Sequence, residues 1–402
     1  MTEPPVTKTR YPASAEEAAA LIRDCAGSGT PVVPRGGGTR LDFAVSGTVL
    51  STAGLAGIAV YNPAEMVMTA GAGTPLAEVE AALAANGQML PFEPADSRPV
   101  LGTAGEPTIG GVFAANVSGP RRLTAGAARD SLLGVTFVNG RGEVIRAGGR
   151  VMKNVTGLDL VKLMAGSRGT LGYMTDVTFR VLPAPRATET VVVTGLDDAH
   201  AAAAMATAMS LPVEVSGAAH LPFTVAGRFL SGALPQGAAT VFRLEGLPHS
   251  VSVRTEKLTA ALSAFGVITW LDEPQSLTLW RQIRDAAPYA QDRGKVLWRV
   301  SVAPTAGHLL MGALRLHAGA DCFYDWQGGL IWLRMEADPE ADFLRKAIRQ
   351  LGGGHATLVR APDRFRKDIP AFEPEAPAVA ALSARIREKF DPRGIFNPGL
   401  MG

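Results

Sequence analysis

Cysteine is nearly missing from this chain, whose 402 residues hold only Cys25 and Cys322. Two thiols so far apart cannot build a disulfide framework or a zinc cluster, so they are expected as buried or inert thiols of a reducing compartment. Histidine is almost as scarce. The six, His200, His220, His249, His308, His317 and His355, include no local ligand pair, and no metal site is expected. An excess of one charge sign is also lacking. Lys and Arg number 39 against 37 Asp and Glu, with no basic run or aromatic-interleaved basic patch, which excludes nucleic acid as a partner. Long hydrophobic runs are absent too. The alanine-rich stretch from Ala201 to Met209 is too short and too weakly apolar to span a bilayer, and Met1 to Tyr11 lacks the apolar segment of a secretory signal. A cytoplasmic location is expected, with any membrane contact made through a partner and no direct insertion.

What is present describes a folded chain of two to three domains, 47% apolar and 19% charged. No internal repeat is visible. Glycine clusters up to about Pro185 and thins afterwards, and Pro183-Ala184-Pro185-Arg186 breaks both helix and sheet, which sets the expected domain boundary at 185. Ser14 with Glu17, an Ala-rich run and Gly27 predict a capped helix, followed by a strand at Pro31 to Val33. A strand at Met66 to Ala70 is expected to lead into a helix with Thr74 as N-cap, Pro75 at its first turn and Leu76, Val79 and Leu83 on one face. Val135–Val138 and Glu143–Arg146 read as a hairpin in which Asn139-Gly140 supplies positive φ.

Three glycine-rich runs carry the functional signal: Arg35-Gly36-Gly37-Gly38-Thr39, Thr108-Ile109-Gly110-Gly111 through Ala114, and Gly166 through Gly169-Thr170-Leu171-Gly172. Each alone reads as a tight turn. Together they offer free amides for a diphosphate and small residues where a ring lies against backbone, the needs of a large flat ligand with a pyrophosphate. A competing dinucleotide signature, Gly71-Ala72-Gly73 with Glu93 about twenty residues on, has Leu76 where its third glycine belongs. It reads better as an ordinary strand-to-helix turn.

Pro34 to Thr39, Thr108 through Gly119-Pro120-Arg121-Arg122-Leu123 to Asp130, Lys153 to Leu160, Gly169 to Gly172 and the tail Phe390 to Gly399 resemble FAD-binding oxidases of the vanillyl-alcohol oxidase and p-cresol methylhydroxylase type. Within that family the chain looks like a subunit of the bacterial glycolate oxidases. The resemblance implies an α+β chain. A two-subdomain FAD-binding domain (1–185) precedes a cap with an antiparallel sheet and helices (186–385), and a tail (386–402) returns to the FAD domain. Carried over residue by residue, it implies FAD contacts at Arg35, Gly36, Gly37, Gly38, Thr39, Thr108, Ile109, Gly110, Gly111, Ala114, Asp130, Gly157, Asp159, Gly169, Leu171 and Gly172. Two departures stand out: Leu158 replaces a common Tyr, and Arg168 replaces a common acid. Members that attach FAD covalently often carry a histidine where this chain has Thr39, so noncovalent FAD is expected.

Oxidising a 2-hydroxy acid requires a base for the hydroxyl proton and a cation for the carboxylate. Related enzymes supply a histidine-rich metal motif in the cap, where this chain has Tyr324-Asp325-Trp326-Gln327-Gly328-Gly329-Leu330-Ile331-Trp332. The local candidates are therefore His355 as base and Arg360 for the carboxylate. Trp298 and Arg299 read as cap packing and a surface charge. Two readings stay open: a flavin dehydrogenase subunit acting on a small 2-hydroxy acid, and a flavin-bearing relay or structural subunit. For either, the resemblance implies a homologous catalytic FAD subunit and an iron–sulfur subunit as partners. A nicotinamide-dependent reductase built on the Gly71 turn is a third, weaker reading.

Overall fold

The computed structural model describes residues 8–40, 46–151 and 157–401. Strand β1 (Thr9–Arg10) leads to helix α1 (Ala15–Ser28). Ser14 Oγ accepts from the Glu17 amide at 3.1 Å, and Glu17 Oε2 reaches back past the cap to accept from the Ala13 amide at 2.8 Å. The helix runs through Gly27 and stops at Gly29, where φ of 67° ends it. Strands β2 (Val32–Arg35) and β3 (Thr48–Ser51) complete a parallel sheet in the order β1-β3-β2.

A second sheet follows. Strands β4 (Ile58–Asn62) and β5 (Val67–Gly71) precede helices α2 (Leu76–Ala84) and α3 (Ile109–Ala115), then β6 (Leu132–Val138), β7 (Val144–Gly148) and β8 (Tyr173–Arg180). The strands pair antiparallel in the order β4-β5-β8-β6-β7. Helix α2 buries the expected Leu76, Val79 and Leu83 in a core shared with Phe113 of α3 and Phe137 and Phe179 of the sheet. The β6–β7 turn differs from expectation. Gly142, not Gly140, takes the left-handed backbone (φ 70°), because Asn139 Oδ1 accepts from the Arg141 and Glu143 amides and fixes the turn around itself. Gly140 is small for another reason: a side chain there would run into Asp391.

The chain passes from this part of the structure to the next sheet within three residues. Ala184 donates to the Gly87 carbonyl on one side, and Arg186 donates to the Gly246 carbonyl on the other. Beyond it lie β9 (Ala187–Thr194), α4 (Asp198–Ser210), β10 (Gly217–Leu221), β11 (Ala239–Gly246), α5 (Pro248–Leu262) and β12 (Ile268–Leu271). After α6 (Glu273–Arg284) the same order recurs as β13 (Val296–Val302), α7 (Gly307–His317), β14 (Ala320–Asp325), β15 (Leu330–Met335), α8 (Ala341–Gln350) and β16 (Gly354–Arg360).

All eight strands form one antiparallel sheet, β12-β9-β11-β10-β14-β15-β13-β16. Each half is a βαββαβ unit with its strands ordered 4-1-3-2. Their second strands meet at the seam through the antiparallel pair His220–Tyr324. This duplication is not visible in the sequence. On β13, Trp298, Val300 and Val302 point into a core closed by α7 and α8, so Arg299 and Ser301 alternate to the opposite face. That face is the one turned toward the N-terminal domain.

Helix α9 (Pro377–Phe390) brings the chain back to the N-terminal domain. Ile386 and Phe390 pack on its core, Phe396 pairs with Val32, and the Asn397 side-chain amide donates to the Arg168 carbonyl at 2.9 Å.

Candidate functional site

The three glycine-rich runs, more than 130 residues apart at their extremes, converge on one cleft open to solvent. Arg35, Gly36, Gly37, Gly38 and Thr39 come from the loop after β2. Thr108, Gly110, Gly111 and Ala114 come from the first turns of α3, and Gly169 and Gly172 come from the loop before β8. Arg40, Thr52, Ala72, Tyr173 and Met174, which the sequence did not mark, line the same space.

Close backbone packing explains the glycines more directly than ligand approach does. A Cβ on Gly37 would sit on the Glu106 carbonyl, one on Gly36 would strike the Thr108 hydroxyl, and one on Gly105 would strike the Gly37 carbonyl. The 36–38 loop and the 105–108 segment are thus pressed together, and this fixes the position of the amides around the cleft. The Gly71-Ala72-Gly73 turn is accounted for in the same way. A Cβ at Gly71 or Gly73 would strike the carbonyls of Leu55 or Thr52, so these glycines serve packing against the 52–55 turn. Glu93, the matching acid of the dinucleotide signature, is not at a ribose site. It lies between domains and accepts from Arg243 at 2.9 and 2.8 Å and from the Arg121 amide at 2.7 Å.

The cleft also contains unsatisfied polar atoms. Thr52 Oγ1 and Arg40 Nη2 are buried without a hydrogen-bond partner among the described residues. Burial pulls the Arg40 and Arg168 guanidinium groups down to about 10, and no carboxylate lies within ion-pairing distance of either among those residues. A buried cation without a counter-charge is costly. Two cations and a buried hydroxyl beside free loop amides fit the diphosphate of FAD, so the residues present suit that cofactor.

Beside the cleft, where the cap meets the N-terminal domain, the cationic character continues. Arg122 and Arg299 both stack on the Trp326 indole, at 4.6 and 4.9 Å from its centroid, and Arg168 stacks on Phe372 at 4.8 Å. The Trp326 indole N–H in turn donates to the Gly119 carbonyl at 3.0 Å, which ties the cap to the N-terminal domain at this point. Burial, then Arg122 and Arg168, brings Arg299 down to about 10. Partial desolvation, with Arg299 and Arg122, lowers the exposed His355 below the ordinary histidine value, which leaves its imidazole neutral and able to accept a proton at pH 7. Burial pushes Asp325 up to about 7, and its Oδ1 accepts from the Trp326 amide at 2.7 Å.

The expected site residues separate into two groups. Those from the three runs meet at the cleft, except Ile109 and Leu171, whose side chains are buried in the domain core. Asp130 accepts from the Ala127 amide and Asp159 from the Lys162 amide, both as local caps, and Gly157 is exposed with nothing near its Cβ direction. The 153–156 part of that motif lies outside the described residues. His355 and Arg360 are five positions apart on β16, and a bulge in its pairing with β13 sets them on one face, opposite Ser301 and Leu297, at opposite ends of the strand. Arg360 is spent on the backbone: it donates to the carbonyls of Val100, Tyr289 and Lys295 at 2.6, 2.9 and 3.2 Å. The guanidinium on that face nearer to His355 is Arg299, whose cross-strand partner is Thr357, two residues along. The sequence reading of Arg299 as a surface charge is corrected: it is partly buried against Trp326. Trp298, by contrast, is fully buried packing as read. The alternation on β13 signals which way Arg299 points, but only pairing with β16 reveals what it points at.

Comparisons with known proteins agree with this geometry. Residues 7–148 match the model of the FAD binding domain family. The chain is 34% identical over 375 residues to the glycolate oxidase subunit GlcE of Escherichia coli (strain K12), a match covering 92% of this chain and 93% of that protein. It is 30% identical to the glycolate oxidase subunit GlcD of Bacillus subtilis (strain 168) over 45% of this chain and 38% of that one. Among solved structures, p-cresol methylhydroxylase with substrate bound aligns with a TM-score of 0.71 at 14% identity, covering 98% of this chain and 88% of the other, a likeness of fold. The converging glycine loops, the antiparallel cap and the full-length similarity together show that the chain belongs to the FAD-linked oxidoreductase family that includes glycolate oxidase subunit GlcE.

Proposed function

We propose that the chain is the FAD-bearing subunit of a glycolate oxidase-type complex and that it oxidises a small 2-hydroxy acid to the 2-oxo acid. The observation that carries this reading is the placing of a neutral imidazole, His355, on the same sheet face as the partly buried Arg299. FAD, held noncovalently in the cleft, would supply the acceptor for the two electrons and proton that leave the substrate carbon as hydride. His355 takes the hydroxyl proton as the carbonyl forms, and Arg299 holds the carboxylate that Arg360 cannot reach. Thr39 offers no nucleophilic ring for a flavin linkage, and the cleft lining contains no histidine or cysteine among the described residues.

A second reading makes the chain a relay beside a catalytic homologue. The cap segment Tyr324 to Trp332 carries no histidine, so this subunit would depend on its partners for metal-assisted chemistry. The proposed partners are a homologous GlcD-like flavin subunit and an iron–sulfur subunit, in the cytoplasm, with membrane contact made by those partners. No helix among the described residues is long and apolar enough to cross a membrane. The deciding assay is reduction of an artificial acceptor by glycolate, using the chain alone, the reconstituted complex, and the complex carrying His355→Ala. Turnover by the chain alone that His355→Ala abolishes establishes the catalytic reading. Turnover only in the complex, unchanged by the substitution, establishes the relay.

A further inference from the structure

Most arginines that approach the domain junction are matched by acids. Arg121 and Arg243 share Glu93 and Glu245, and Arg284 lies against Asp285 at 2.8 Å. Arg40, Arg122, Arg168 and Arg299 are the exceptions. Among the described residues none of the four is in an ion pair, and the side chains of Arg122, Arg168 and Arg299 donate no hydrogen bond to the protein. Stacking on Trp326 and Phe372 fixes the planes of these three guanidinium groups while leaving their N–H edges free. That is the state of an arginine waiting for a planar anion. The acids nearest them form no ion pair with them. Asp325 accepts from the Trp326 amide, Asp130 caps Ala127 and lies 3.8 Å from Arg129, and Glu373 lies with Arg345, Arg349 and the Ala356 amide.

Counting charge then bears on the substrate. The diphosphate of a bound FAD carries two negative charges and answers two of the four cations, with Arg40 and Arg168 lining its cleft. Two guanidinium groups, Arg122 and Arg299, remain on the same indole. A substrate with a single carboxylate answers one of them and leaves the other partly buried and uncompensated, a costly arrangement in a site of low polarity.

We propose that Arg122 and Arg299, held on Trp326 with Arg168 beside them, select a 2-hydroxy acid that carries two carboxylates over one that carries a single carboxylate. The inference rests on the reading that this site receives a 2-hydroxy acid. It narrows that class from monocarboxylic to dicarboxylic acids. One carboxylate lies on Arg299, close enough to His355 for the adjacent hydroxyl to lose its proton there, and the distal carboxylate lies on Arg122.

The test is calorimetric titration of the full chain at fixed ionic strength, with and without FAD, using glutarate and 2-hydroxyglutarate against butyrate and glycolate. Dicarboxylates are expected to bind at least ten-fold more tightly than monocarboxylates. Arg122→Gln should reduce that preference about ten-fold and Arg122→Lys should recover part of it, whereas Arg299→Gln should weaken both classes alike, with flavin content at the wild-type level in all three. Equal affinity for the two classes in the wild-type chain overturns the proposal without reference to any variant. A preference that survives Arg122→Gln also overturns it. Failure of the broader reading shows differently: a chain that takes up no FAD, or that binds dicarboxylates tightly yet oxidises no 2-hydroxy acid in any complex, loses the assigned function and keeps the selectivity.

Discussion

Any side chain at Gly37 would occupy the place of the Glu106 carbonyl, so the loop could not close on the 105–108 segment. Gly37→Ala is therefore expected to lower thermal stability and FAD affinity together, by about 1–3 kcal/mol of overpacking strain. Arg40→Gln tests the cleft without that strain. Arg40 Nη2 has no partner among the described residues and Nη1 gives a single bond to the Ala95 carbonyl, so its removal should weaken FAD binding several-fold and change the melting temperature of the flavin-free chain little. Flavin titration and a thermal melt on both variants separate the two effects. At His355 the relevant quantity is pH. Its lowered pKa means that the active, neutral form is gained as pH rises through a value below the ordinary 6.5. In whichever assembly turns over, kcat/KM should show an acidic limb with a midpoint under that value. His355→Asn should remove the limb, and an unchanged profile in that variant would take the base role away from His355.

At the scale of elements, the strand β11 and the turn around Glu93 are joined by a buried four-residue ion network. Arg243 donates to both Glu93 oxygens, Arg121 donates to Glu245 at 2.6 and 2.9 Å, and Ser216 Oγ donates to Glu245 at 2.6 Å. Arg243, about 2% exposed, also stacks on Trp280. Removing one member leaves an acid buried without its cation, so Arg243→Met should destabilise the chain by about 3–5 kcal/mol in denaturant titration. Burial opposes ionisation of Glu245, but Arg243 and Arg121 outweigh it and bring its pKa down to about 2; Glu93 is lowered in the same way. A depressed carboxylate pKa stabilises the fold above the unfolded value of about 4.5 and loses that contribution as pH falls toward 2. Stability should fall steeply across that window in the wild type and less so in Glu245→Gln.

These elements show how far the sequence was legible. The cap of α1, the apolar stripe of α2 and the β6–β7 hairpin follow from local signals, because each depends on residues within a few positions of one another. The hairpin glycine was misassigned because Asn139 accepts two amides ahead of it, a choice that Asn-Gly spacing does not encode. The ion network was not legible at all. Glu93 and Arg243 are 150 residues apart, and nothing near either one announces the other.

For the whole molecule, the two βαββαβ halves of the cap form one sheet whose face opposite α4, α5, α7 and α8, on which α6 packs, closes over the N-terminal domain, and the C-terminal segment is fastened to that domain through Phe396 and Asn397. FAD in the cleft would contact loops from three separate stretches and no reactive ring on the 36–39 loop. Acid or heat should therefore release all of the flavin into the supernatant of the denatured chain, as read by absorbance after precipitation. Colour retained on the polypeptide would require a covalent link and overturn the noncovalent assignment.

The sequence by itself determined the flavin family, the three glycine runs, the absence of a histidine cluster in the cap and the candidate imidazole, since each is a property of residue type or short spacing. Tertiary structure alone decided that the runs share one cleft, that Arg360 serves backbone carbonyls and that Arg299 faces His355. It also decided that Arg122 and Arg299 meet on one tryptophan. The reason is physical: the environment of a charge is set by whatever strands and loops fold against it, and those partners lie far away along the chain.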